Sequence, residues 1–201
     1  TAQRNNQTQV RREGQVGILG DKAAEDVPFS IRSYSDALIY NQQPQTLGQV
    51  LENDPTIRTS YGFGNASEQF VIRGFTLFGD DVALDGLYGI TPRQLVAPEL
   101  YDSVQVLGGA TAFLNGAAPG GSGIGGSINL LPKRAGRDLT RATVGYLTDG
   151  HVGASFDVAR RFGGGAWGLR INGAHRRGEV AIDDENRRAT VLGAGLDYRG
   201  T

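Results

Sequence analysis

The run Gly121-Ser122-Gly123-Ile124-Gly125-Gly126 meets the G-x-G-x-x-G spacing that cradles a dinucleotide pyrophosphate. That chemistry needs a helix after the glycines, because the helix N-terminus supplies the N–H groups that meet the anion. Here Ser127-Ile-Asn-Leu-Leu-Pro132 follows, a strand pattern closed by proline. The glycines therefore read as sites of positive φ and close backbone approach. Asp80, Asp81 and Asp85 could ligate a cation, but their spacing is not that of an EF-hand loop, and turn chemistry accounts for them. Asp183-Asp184-Glu185-Asn186 reads as a solvated loop tip. His151 and His175 are too far apart for a dedicated metal cluster, neither adjoins a plausible serine nucleophile, and G-x-S-x-G is absent. Without cysteine there is no disulfide, no Cys-ligated zinc and no thiol nucleophile. The residues thus assemble no catalytic constellation, metal site or cofactor site, and the chain reads as something other than an enzyme.

The charge balance adds a second exclusion. Lys+Arg number 20 and Asp+Glu 21, so no global field gathers nucleic acid. Glycine contributes 31 of 201 residues, about twice the usual share of about 7%. No run approaches the ~20 apolar residues of a membrane helix, and Thr1 does not open a signal peptide. Helical membrane proteins are excluded; membrane proteins built of strands are not.

Three textures divide the chain. Residues 1–15 are polar and read as a mobile N-terminal arm. Residues 16–134 read as a compact α+β domain with a small mixed sheet. Strands are expected at Phe29–Ser33, Gln69–Arg73, Val82–Asp85, Ser103–Leu107 and Ser127–Leu131, each bounded by Gly, Pro, Asp or Ser. Ser33-Tyr-Ser-Asp36 and Thr46-Leu-Gly-Gln49 carry capping-box spacing and predict two short helices. Loops are expected over Arg58–Ser67, Phe75–Asp81, Leu87–Ala97 and Asn115–Gly126.

Residues 135–201 alternate. Val152, Ala154, Phe156 and Val158 share one face; Trp167, Leu169 and Ile171 share another, as do Thr190, Leu192, Ala194, Leu196 and Tyr198. Each segment is about ten residues long, the length of a tilted membrane strand. Asp149-Gly150 and Phe162–Gly165 suit short turns, and Gly178–Arg188 a long charged loop. The same alternation fits a soluble antiparallel sheet with one wet face. Trp167, Tyr146 and Tyr198 fall near segment ends, where interfacial aromatic girdles lie. Four such strands cannot stand alone in a bilayer, because an open edge leaves backbone groups unpaired.

Read in order, the motifs resemble those of the TonB-dependent outer-membrane receptors, in the ferric-siderophore branch. The resemblance runs through Gly17-Ile-Leu-Gly20, Val27-Pro-Phe-Ser-Ile31, Leu47-Gly-Gln-Val-Leu51 and Asp54-Pro-Thr-Ile-Arg58. It continues in Phe70-Val-Ile-Arg-Gly-Phe75, Asp81-Val-Ala-Leu-Asp-Gly86, Val104-Gln-Val-Leu107, Ala112-Phe-Leu-Asn-Gly116, Pro119-Gly-Gly121 and Ser127-Ile-Asn-Leu-Leu-Pro-Lys-Arg134. It implies a plug domain over residues 16–134, followed by the first four antiparallel strands of a transmembrane β-barrel over residues 135–201. The family's basic residue and Gly-Pro after the strand resembling Val104–Leu107 are replaced by Gly108-Gly109-Ala110. Arg73 matches a plug arginine that in the family contacts the barrel.

The resemblance implies a receptor in the outer membrane of a Gram-negative bacterium, with its plug inside the lumen of a barrel of about 22 strands. Such a receptor binds a ferric siderophore and imports it with energy transmitted by TonB; its partners are TonB, the chelate and outer-membrane lipid. Iron enters only as part of the chelate. Haem, cobalamin or another scarce nutrient are alternative cargoes, and a plug-like periplasmic binding module is an alternative protein. Thr8-Gln9-Val10 is the candidate TonB box, captured by strand addition. Ligand contact is expected from Tyr61, Phe63, Phe78, Tyr88, Arg93 and Gln94, which offer aromatic area and charge-assisted hydrogen bonds.

Overall fold

The computed structural model describes residues 9–62, 64–147, 150–179 and 184–200. Two units are present, one ending at Leu131 and one beginning at Pro132. Among the described residues no helix is long and apolar enough to cross a membrane.

The first unit contains strands β1 (Val10–Arg11), β2 (Glu13–Gln15), β3 (Asp21–Ala23) and β4 (Ser30–Ser35), then helices α1 (Asp36–Gln42) and α2 (Leu47–Leu51). Strands β5 (Ile57–Thr59), β6 (Gln69–Ile72), β7 (Phe75–Phe78), β8 (Ala83–Leu84) and β9 (Tyr101–Gly108) follow, then α3 (Ala112–Asn115) and β10 (Gly126–Pro132). One sheet has the order β1-β4-β9-β10-β8, a second is the meander β5-β6-β7, and β2 pairs with β3. Tyr34, Val104, Val106, Ile128 and Leu130 of the large sheet pack with Leu38, Leu47, Val50 and Leu51 of the helices. Phe70, Ile72 and Leu77 of the meander close the same core. Asp54, almost fully buried, accepts hydrogen bonds from Arg32 (2.9 Å), from the Tyr34 hydroxyl (3.0 Å) and from Thr56, so β4 is tied to the end of α2. Burial and the adjacent Asp54 push the Tyr34 hydroxyl pKa well up.

Four expectations are corrected here. The polar stretch to Gln15 is not free from Gln9 onward: Val10 and Arg11 pair with Tyr34 and Ser33, and β2 pairs with β3. Backbone hydrogen bonds and an amide cluster (Gln15, Gln105, Asn129) hold these strands, not apolar burial, and composition does not reveal that. Ser33 does not cap a helix; its hydroxyl donates to the Glu13 carbonyl, and α1 starts at Asp36. Thr46 does cap α2, accepting from Gln49 N at 3.3 Å. The segment read as the loop Phe75–Asp81 begins with β7, which folds back on β6 across the two-residue turn Arg73-Gly74. Arg58 and Thr59, assigned to a loop, belong to β5.

The second unit is a four-stranded antiparallel sheet of β11 (Leu139–Tyr146), β12 (Val152–Phe162), β13 (Trp167–Glu179) and β14 (Asn186–Tyr198). Its two faces are inverted relative to a soluble sheet. Phe156, Ile171, Leu192, Leu196 and Val144 are exposed, Val144 to 86%, whereas Asp157, Arg170 and Asn172 are buried. Asp157 takes a fork from Arg170 at 2.8 and 2.7 Å and a third bond from Lys133 at 2.8 Å. Arg161 bridges Asp197 (2.9 Å) and the Ala135 carbonyl. Segment 133–135 is thereby laced to the polar face of the sheet. Apolar residues outside and satisfied ions inside are what a barrel wall requires, since hydrocarbon solvates the one and the lumen the other.

Candidate functional site

Three loops of the first unit meet at the end of the meander opposite the Arg73-Gly74 turn. Ser67 pairs with Gln94 as an isolated antiparallel bridge. Glu68 N donates to the Arg93 carbonyl (3.3 Å) and Leu95 N to the Ala66 carbonyl (3.1 Å), so the segment ending at Ser67 and the loop around Arg93 are zipped together. Gly79 makes the approach possible, because a Cβ there would meet the Glu68 carbonyl at 2.7 Å and the Arg93 carbonyl at 3.1 Å. Glu68 is buried, and one carboxylate oxygen accepts from Gly48 N at the start of α2 (2.7 Å) while the other has no hydrogen-bond partner among the described residues. Burial pushes the Glu68 carboxyl pKa up, opposed by its hydrogen bonds.

On this frame Arg93 forks onto Asp80, Nε to Oδ1 at 3.2 Å and Nη2 to Oδ2 at 2.9 Å, and lies over the Phe78 ring 5.6 Å from its centroid. The fork holds the Asp80 carboxyl below its ordinary range. It raises the Arg93 pKa, to which Tyr61 adds a smaller electrostatic contribution. Tyr61 is 41% exposed. Arg93 keeps further N–H donors beyond the two that Asp80 takes, so an exposed cation lying over the Phe78 ring is available to an oxygen-rich anion.

Of the six expected ligand residues, Phe78 and Arg93 are in contact, and Gln94 adjoins them through its bridge to Ser67; Tyr61 reaches Arg93 only as a minor electrostatic influence. Tyr88 belongs to a different neighbourhood: its hydroxyl is bonded to Ser127, and burial and Asp81 push its pKa up. Phe63 lies outside the described residues. Asp80, which fixes Arg93, was read only as turn chemistry; its position thirteen residues before an arginine carries no periodic signal. Asp81 is buried and accepts from Gly120 N (2.7 Å), Ser122 N and the Ser122 hydroxyl, so it holds the glycine-rich loop in place. Gly125 of that loop packs directly on the Ile72 carbonyl.

Arg73 has φ +51° in its turn, an uncommon backbone state for a side-chain-bearing residue. Its guanidinium is exposed and has no carboxylate partner among the described residues. Of the TonB-box candidates, Thr8 lies outside the described residues. The Gln9 carbonyl accepts from Ser35 N (3.0 Å) and the Ser35 hydroxyl (3.2 Å), and Val10 pairs with Tyr34.

Comparison with known proteins decides what this architecture is. Residues 23–122 match the model of the TonB-dependent receptor plug domain. The chain is 45% identical over 194 residues to the ferrichrome receptor FcuA of Yersinia enterocolitica, covering 96% of this chain and 26% of that one. This chain belongs to the TonB-dependent receptors. Among solved structures it superposes with TM-score 0.91 and 39% identity on BauA, the ferric preacinetobactin receptor of Acinetobacter baumannii, over 96% of this chain and 29% of that one. The pyoverdine outer membrane receptor FpvA of Pseudomonas aeruginosa shares the fold at TM-score 0.82 and 20% identity, over 97% of this chain and 29% of that one. The chain therefore spans about a quarter of the length of these relatives, covering a plug and initial antiparallel strands. As a TonB-dependent receptor it belongs to the outer membrane, and its relatives are named as receptors, not enzymes.

Proposed function

We propose that the receptor carrying this segment binds a ferric siderophore and imports it across the outer membrane with energy transmitted by TonB. The observation that supports this most is the 45% identity to a ferrichrome receptor, which runs through both the plug and the wall strands. The first contact for the chelate is the Arg93–Asp80–Phe78 group with Tyr61 and Gln94. An iron chelate is bulky and oxygen-rich, and aromatic rings supply contact area while the guanidinium supplies charge-assisted hydrogen bonds. No covalent step is involved, and iron is cargo within the chelate. The plug lies in the lumen of the complete barrel, and Arg73 contacts the wall there. Thr8-Gln9-Val10 serves as the TonB box: strand addition by TonB competes with the two-residue pairing of β1 on β4.

The test is growth of a strain lacking this receptor, under iron limitation, on a panel of hydroxamate, catecholate and mixed chelates. Loss of growth on one chelate class, restored by the wild-type gene but not in a strain lacking TonB, is expected. Unchanged growth on every ferric chelate, with loss on a non-iron nutrient, contradicts the reading.

A further inference from the structure

The register of β11–β14 aligns residues into rungs across the outward face of the sheet. One rung is Phe162, Trp167 and Tyr198, with the Trp167 and Tyr198 rings 4.8 Å apart. Ten residues further along β13 the rung is Tyr146, Val152, Arg177 and Arg188. Between them the outward positions are mainly apolar, with Leu169, Leu196, Ile171, Phe156 and Leu192, while Arg160 lies one rung inside the Trp167 rung and His175 with Thr190 one rung inside the Arg177 rung. Ten residues rise roughly 33 Å along a strand, and a tilt of about 40° reduces this to about 25 Å along the bilayer normal. That is the height of the apolar band of a barrel, so the two aromatic-bearing rungs mark its two borders. The strands are joined at the Trp167 end by residues 163–166 and at the Arg177 end by the longer connections 147–151 and 180–185, and we take the end with the longer connections as the outer side.

Arg177 and Arg188 are directly opposed in the ladder, and both are exposed. Like charges in that arrangement repel, and neither arginine has a carboxylate partner among the described residues. The nearby Glu185 is taken by Arg187, on the other face, at 2.8 Å. Glu179 and Asn186 occupy the next rung outward, and His175, bonded to Thr190 at 2.7 Å, the next rung inward.

We propose that Arg177 and Arg188 clamp the phosphate group of an outer-leaflet lipid on the lipid-facing wall of the barrel. A phosphate between the two guanidiniums turns the repulsion into paired charge-assisted hydrogen bonds. Tyr146, 72% exposed on the same rung, stands at headgroup level beside it. This site depends on the barrel wall and not on the cargo, so its failure leaves the import reading untouched.

The experiment titrates the complete receptor, in a neutral maltoside detergent, with fluorescent dioleoyl phosphatidic acid. Binding by the wild type is expected, falling about 30-fold in the Arg177→Gln/Arg188→Gln variant and about 5-fold in Arg188→Gln alone, as two membrane-surface cations imply. Arg177→Lys/Arg188→Lys retains most of the affinity, and phosphatidylcholine of the same chains binds all variants alike. Wild-type affinity in the double glutamine variant overturns the proposal. So does displacement of the lipid by millimolar inorganic phosphate, which would mark a free-anion site. Should the double variant fail to fold, the single variant decides by the same criterion.

Discussion

The guanidinium of Arg73 lies over the α-carbon of Gly108, so close that a Cβ there would meet Nη2 at 3.1 Å and Cζ at 3.2 Å. The absence of a side chain at Gly108 makes room for Arg73. Gly108→Leu should therefore displace Arg73 and reduce import of the ferric chelate about as much as Arg73→Ala, and the double variant should be no worse than either single one. Uptake of iron-55 chelate by cells carrying the complete receptor measures this; additive losses would mean that the two positions act independently.

Arg93 gives a prediction about affinity. Removing its charge-assisted donors by Arg93→Ala should weaken chelate binding by about 1.5–3 kcal/mol, roughly 10- to 150-fold. Asp80→Asn should cost less, because Arg93 keeps its place over Phe78. Asp80 titrates below its usual range, so the fork is present above about pH 4 and is lost as pH falls through the lowered folded pKa. Intrinsic tryptophan quenching by the ferric chelate, followed from pH 8 to pH 5, should show no step arising from this pair.

Glu68 has the opposite sign. Its folded pKa is raised by burial, so its contribution to stability is fully present below the unfolded value near 4.3 and declines as pH rises through the folded value. Glu68→Gln keeps an oxygen for Gly48 N and removes the buried charge. The melting temperature of Glu68→Gln minus that of the wild type should increase from pH 5 to pH 8, read by scanning calorimetry on the complete receptor. A flat difference would show that the carboxylate is not destabilised by its surroundings.

Asp54 is the most connected buried carboxylate of the first unit. Asp54→Ala strands Arg32 and the Tyr34 hydroxyl, and the expected loss is about 3–5 kcal/mol. Tyr34→Phe removes one hydrogen bond and should cost about 1 kcal/mol. Denaturant unfolding of the two variants side by side checks the ranking.

What the sequence discloses and what it conceals follow from the kind of force involved. The strands carrying Val104, Val106, Ile128 and Leu130 were legible because apolar runs end at glycine or proline, and Thr46 was legible because a cap is a local pattern. β1 and β2 were hidden because polar strands held by backbone pairing look like any polar tail. β7 was hidden behind Arg73, which adopts a positive φ that a sequence normally signals with asparagine or glycine. Alternation in the last third fitted a soluble sheet as well as a membrane wall; the buried Asp157–Arg170 fork against exposed Phe156 and Ile171 separates the two. In the candidate site the aromatic and basic residues were legible by type, whereas the Asp80 partnership arises only when two loops are zipped at Ser67 and Gln94.

The inverted sheet is the feature on which the account stands, and the absence of cysteine makes it open to direct measurement. Single cysteines placed along β14 from Thr190 to Tyr198 in the complete receptor, spin-labelled and reconstituted in phosphatidylcholine vesicles, report accessibility to oxygen and to a water-soluble nickel chelate. Labels at 192, 194 and 196 should favour oxygen, and those at 191, 193 and 195 should not, with a period of two. Absence of that alternation, or its reversal, would contradict a lipid-facing wall.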